Sequence, residues 1–104
     1  MSGKYVFIFT GGGDDSSGDL DDEVMAAWMA WFARLGKAVV DIGNPFGSSA
    51  VVRHDGTVDD HAPSNLTGYA IVSAPSLSGA LDMARGCPVL RGGGAVEVYE
   101  ASDV

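Results

Sequence analysis

The segment LDDEVMAAWMAWFARL, residues 20–35, decides how the rest of the chain is read. On a helical wheel at about 100° per residue, Ala27, Leu20, Trp31, Val24, Leu35, Trp28, Phe32, Met25 and Met29 fill one continuous arc. The arc spans roughly half the circumference, wider than the ~100° stripe of an ordinary surface helix. Ala26, Ala30, Ala33, Glu23 and Arg34 occupy most of the other side. The spacing predicts an amphipathic helix over 20–35 that meets two surfaces: its own sheet, and either a partner chain or a pocket. Asp19 suits the N-cap, and Asp21, Asp22 and Glu23 suit the positive end of the helix dipole. Arg34 and Gly36 suit the other end.

On either side of this helix the period changes to two. Lys4 to Thr10 sets Tyr5, Phe7 and Phe9 against Val6 and Ile8, a strand apolar on both faces. A flexible acidic loop, Gly11 to Asp19, joins it to the helix. Ala38 to Gly43 reads as a second strand, followed by the turn Asn44-Pro45-Phe46-Gly47. Ser49 to Arg53 reads as a short extension closed by His54-Asp55-Gly56, and Asp59 to Asn65 as polar and irregular. Thr67 to Ala74 is a third strand. Pro75-Ser76 opens a second helix whose buried side is expected to be Leu77, Ala80, Leu81 and Ala84; Gly86 and Pro88 end it. Ala95 to Glu100 is the last strand. The order βαββαβ predicts an α+β, ferredoxin-like split βαβ domain over 1–104, an antiparallel sheet with two helices on one face. Because the first and third strands are apolar on both sides, the open face is expected to be covered. A second copy packed sheet to sheet is the simplest cover, giving a homodimer of the dimeric α+β barrel kind.

A chain of 104 residues suits one domain. The single cysteine, Cys87, excludes an internal disulfide and points to a reducing, cytoplasmic compartment. No signal peptide is expected from the start Met1-Ser2-Gly3-Lys4-Tyr5, and no apolar run approaches the ~20 residues of a membrane span. A net charge of −8, with six scattered basic residues, disfavours nucleic acid and anionic membranes as partners.

The later half carries Thr67 to Leu77, then Ala80, Ala84, Gly86-Cys87-Pro88-Val89-Leu90 and Gly93 to Val98; the first half carries Tyr5-Val6-Phe7, Gly11-Gly12, Trp28 to Phe32, Leu35-Gly36, and Val40-Asp41 with Gly43-Asn44-Pro45-Phe46. Together these runs resemble the YCII-related domain family. The resemblance covers nearly the whole chain and is to an uncharacterised bacterial branch. It implies a ferredoxin-like fold and a dimeric α+β barrel. Some members of the family carry a His/Asp pair in a cleft, and most have no assigned activity. Many relatives carry Asp-Gly-Pro-Phe ahead of the third strand; this chain has Asp60-His61-Ala62-Pro63 there, so a site built on the usual motif is altered.

Asp41, alternating with apolar neighbours, reads as a half-buried general acid or base, as an exposed edge-strand residue, or as a carboxylate bonding amides in the Gly43-Asn44 turn. His61, next to Asp59 and Asp60 and downstream of His54-Asp55, reads either as a proton shuttle or as a solvated loop histidine. Trp28, Trp31, Phe46 and Tyr69 can line a pocket for a flat ligand, with Asn44 and Tyr69 orienting it, or serve as plain core or dimer interface. The Gly11-Gly12-Gly13 run lacks the Gly-Lys-Ser/Thr of a phosphate loop and is surrounded by acids. Cys87, at a helix C-terminus, reads as packing. Two loop histidines do not make a metal set, and no metal or cofactor is expected. The expected function is binding of a small organic molecule in a cleft; if the chain is an enzyme, the expected chemistry is cofactor-free acid–base work on a carbonyl or lactone-like compound, with Asp41 moving the proton and His61 assisting. The alternative is a non-catalytic binding or accessory domain.

Overall fold

The computed structural model describes residues 3–11, 22–64 and 66–102. Strand β1 spans Gly3–Thr10, helix α1 Asp22–Leu35 and strand β2 Val39–Asp41, with a 3-10 turn at Gly36–Ala38 between the last two. Strands β3, Val51–Val52, and β4, Val58–Asp59, form a separate two-stranded hairpin. Strand β5 spans Leu66–Ala74, helix α2 Leu77–Ala84 and strand β6 Ala95–Ala101, with a 3-10 turn at Pro88–Gly92 before β6. The main sheet has the order β2-β5-β1-β6, and every neighbouring pair is antiparallel. The expected N-cap Asp19, the start of the helix at Leu20 and the acidic loop from Gly12 lie outside the described residues. Among the described residues no helix is long and apolar enough to cross a membrane.

One face of the sheet forms the core. Tyr5, Phe7 and Phe9 of β1 lie opposite Val72, Ala70 and Gly68 of β5. Large rings on one strand beside small residues on the next leave room for Trp31 of α1, which is 1% exposed. Its ring stacks on Phe7 at 6.0 Å, and its Nε1–H donates to the Met83 carbonyl at 2.9 Å. That bond satisfies the indole's only donor while fastening α1 to α2. Ala80 and Ala84 of α2 enter the same core, with Cys87 and Val89 closing its end.

Both helices bury less than the sequence suggests. In α1 the packed stripe is Trp28, Trp31, Phe32 and Leu35, an i, i+3, i+4, i+7 set. Met29 is 68% exposed, and Met25 and Val24 also stand off the core. In α2 the expected buried side is corrected: Ala80 and Ala84 are buried, but Leu77 is 49% and Leu81 40% exposed. Two alanines at i, i+4 bring the helix backbone close to the sheet, and the larger leucines are left on its flank. Ser76 caps α2, its Oγ accepting from the Gly79 amide at 3.1 Å. Ser76→Ala should lower stability by about 1 kcal/mol in a denaturant melt, the usual worth of such a cap.

The other face of the sheet carries a second set. Val6 lies opposite Ile71 and Tyr99, and Ile8 opposite Tyr69 and Glu97. Val6, Ile8, Tyr69 and Ile71 are half-buried, and Tyr99 is exposed. The Cα positions span 41 × 40 × 19 Å. The short dimension is the depth of one helix layer on one sheet, given layer spacings of about 10 Å.

Candidate functional site

The candidate site grows from a turn at the end of β2. The expected second strand, Ala38 to Gly43, is shortened to Val39–Asp41, because Gly43 takes φ +71°. At that position a Cβ would fall 1.7 Å from the Tyr69 carbonyl oxygen, so the turn can press onto β5 only through glycine. The reversal brings the Gly43 amide onto Asp41, whose Oδ1 accepts it at 2.8 Å. Asp41 is solvent-exposed rather than half-buried.

Beyond the turn the chain continues along β5. The Asn44 carbonyl accepts from the Tyr69 amide at 3.4 Å, Pro45 bridges to Gly68, and the Phe46 amide donates to the Thr67 carbonyl at 2.9 Å. This sets the Phe46 ring on that of Tyr69, centroids 5.8 Å apart and planes 18° apart. Farther on, Ser49 Oγ accepts from the Ala62 amide at 3.0 Å and ties the two arms of the β3–β4 segment at their base. The result is a half-open cleft of about 620 Å³ lined by Phe46, Ser48, Ser49, His61 and Leu66 among others.

Two of the residues singled out by sequence, Phe46 and His61, therefore meet in one cleft. Tyr69 stands behind Phe46, and Asn44 contributes its backbone to the strand pairing. Asp41 is not among the residues that line the cleft. Trp28 lies on the opposite side of the sheet from Tyr69: its ring meets Phe9 at 5.1 Å, edge to face, and Trp31 at 5.8 Å. As a pocket residue grouped with Phe46 and Tyr69, Trp28 is thus corrected to core. Ser48, Ser49 and Leu66 were not singled out, since a short polar run after Gly47 carries no periodic signal.

Three other charged side chains of the loop, Arg53, Asp55 and Asp59, are engaged locally. Arg53 donates through Nε to Asp59 Oδ2 at 2.9 Å and also through Nη2, so Asp59 is an arginine partner across the hairpin. Asp55 accepts from the Thr57 amide at 3.0 Å and hydroxyl at 2.8 Å, which holds its carboxyl below the usual carboxylate range. Burial pushes the Cys87 thiol up to about 11, consistent with an inert packing residue. Among the described residues no three His, Cys, Asp or Glu side chains are grouped so as to hold a metal ion. A second, shallower hollow of about 410 Å³ lies between α1 and β2, walled by Met29, Phe32, Ala33, Val39 and Ile42.

Compared with known proteins, the chain matches no family model and no curated sequence.

Proposed function

We propose that the chain is a small-molecule-binding domain of the YCII-related kind, ferredoxin-like in topology, which pairs sheet to sheet as a homodimer in the cytoplasm. The cleft carries this reading: one aromatic ring, two hydroxyls and one imidazole line a single space, the mixed apolar and polar lining expected for a small organic ligand. The strand order β2-β5-β1-β6, antiparallel throughout, supports the ferredoxin-like assignment. The apolar rows of Val6, Ile8, Tyr69 and Ile71 support a second copy over the open face. Binding without catalysis is favoured over acid–base chemistry, because Asp41 stays outside the cleft with one oxygen on the Gly43 amide.

A thermal-shift screen against small carbonyl compounds, lactones and aromatic acids tests the reading. A ligand at about 100 times its Kd adds roughly 2.7 kcal/mol. That raises the Tm by several degrees or more, at about 4–8 °C per kcal/mol for a chain near this size. The shift should disappear in Phe46→Ala, and a panel with no shift at all counts against the cleft as a ligand site. One observation favours the enzymatic alternative: the His61 imidazole, a group that can give or take a proton, lines the cleft. Under that alternative a hit is turned over, and His61→Gln stops turnover while the thermal shift persists.

A further inference from the structure

The cleft between Phe46 and the base of the β3–β4 segment offers hydrogen-bond donors, a ring and no fixed charge. Ser49 Oγ accepts from the Ala62 amide at 3.0 Å, which occupies one of its lone pairs. A serine hydroxyl also has one hydrogen to donate, and that of Ser49 has no acceptor among the described residues. The side chains of Ser48 and His61, each with at least one polar hydrogen, also make no hydrogen bond among the described residues, and all three line the same space. The Phe46 ring stacks against Tyr69 with planes 18° apart, yet 43% of Phe46 remains exposed. Leu66 adds aliphatic surface to the same cleft. Among the described residues no Lys, Arg, Asp or Glu lines it. Arg53, the guanidinium of the adjoining hairpin, is held by Asp59.

We propose that the ligand of this cleft is an uncharged, flat aromatic compound that presents a carbonyl oxygen: its ring lies on Phe46, and its oxygen accepts from the Ser49 hydroxyl. The inference rests on the small-molecule reading above and narrows it. An exposed ring favours a second ring over an aliphatic group of equal size, because offset rings gain beyond the area they bury. The hydroxyl and imidazole hydrogens select an acceptor. A carbonyl and a carboxylate both supply one, and charge separates the two. An ionised carboxylate would leave water for a space with no lysine or arginine to neutralise it. It would also approach a chain of net charge −8, whose field repels anions. A neutral carbonyl meets neither obstacle. The volume of about 620 Å³ lies in the range of small-molecule sites and has room for two fused rings.

Three compounds of similar shape test the class: naphthamide, the naphthoate anion, and decalin carboxamide, in which both rings are saturated. Each is titrated into the full chain in low salt at pH 8, where the naphthoate is ionised, and binding is followed by ligand-observed NMR. Naphthamide should bind about tenfold more tightly than naphthoate and about fivefold more tightly than the saturated amide. The gap to naphthoate should narrow in about 0.5 M salt, which screens charge. Phe46→Leu keeps an apolar side chain without the ring and should bring the aromatic and saturated amides level. Ser49→Ala should weaken naphthamide by about fivefold and leave naphthalene, which has no acceptor, unchanged. No loss of naphthamide in Ser49→Ala, or an equal loss of naphthalene, overturns the Ser49 contact. Naphthoate binding as tightly as naphthamide overturns the uncharged class, and equal binding of the saturated amide overturns the aromatic one; either result leaves the cleft standing as a ligand site. If none of the three binds but another member of the thermal-shift panel does, the class alone is overturned. No binding by the three and no shift anywhere in the panel overturns the small-molecule reading, and the class with it.

Discussion

Replacing Trp31 by alanine should lower the stability of the domain by about 3–5 kcal/mol, the range for truncating a fully buried aromatic. A domain of this size has only about 5–15 kcal/mol in total, so much of the chain would unfold under mild denaturant. Two losses combine. The ring leaves a cavity between Phe7, Phe9, Trp28 and Phe32, all within 6.2 Å of its centroid. The Met83 carbonyl also loses the indole N–H that joins the two helices. Trp31→Phe separates these terms: it refills most of the volume without the donor and should lose about 0.5–1.5 kcal/mol, the net worth of one hydrogen bond, because the Met83 carbonyl keeps the Gly86 amide at 3.3 Å. Urea unfolding followed by circular dichroism measures both. An unchanged midpoint in Trp31→Ala would remove Trp31 from the centre of the core.

Gly43→Ala should be nearly as damaging, although it adds one methyl group at the edge of the sheet. An L-residue at φ +71° carries about 1–2 kcal/mol of strain. The new Cβ would also fall 1.7 Å from the oxygen and 2.6 Å from the carbon of the Tyr69 carbonyl, both backbone atoms that cannot swing aside. Relieving that overlap by moving the turn adds about 1–3 kcal/mol, typical of overpacking. The movement would separate Asn44 from Tyr69 and Phe46 from Thr67, and take the Phe46 ring off Tyr69. Any ligand response of the cleft should fall with it. Gly36→Ala is the control: φ is +56° there, but nothing lies within 4 Å of the added carbon, so only the strain applies. If the two variants melt alike, the close approach of Gly43 to β5 is not as described.

The contrast between these two sites shows what the chain discloses by its letters. Tyr5, Phe7 and Phe9 alternate, and Trp28, Trp31, Phe32 and Leu35 recur at helical spacing. The strands, the helices and the aromatic heart of the core were therefore readable by period. Period does not say which side of a sheet a helix will choose. Trp28 and Tyr69 looked like partners in one pocket, yet the pairing of Phe9 with Gly68 puts them on opposite sides. Alternation with Val40 and Ile42 left Asp41 open between a half-buried acid or base and an exposed carboxylate bonding the turn amides. The positive φ of Gly43 ends the alternation and puts the carboxylate on a backbone amide, the second of those readings. The cleft depends on a bond between Ser49 and Ala62, thirteen positions apart, and on a hairpin whose strands are two residues each. Contacts of that range and brevity leave no periodic trace.

The shortness of β2 has a consequence for how copies of this chain can add to one another. A long, flat outer strand offers its free amides and carbonyls as a template, and chains joined that way can grow into fibres without limit. Here β2 is three residues long, and the turn at Gly43 followed by Pro45, which has no amide hydrogen to offer, breaks the row. At the opposite margin β6 carries Glu97 and Glu100, charges that repel a like strand approaching from the side. Both margins are thus closed to lateral growth, and further strands cannot be added one after another at either side of the sheet.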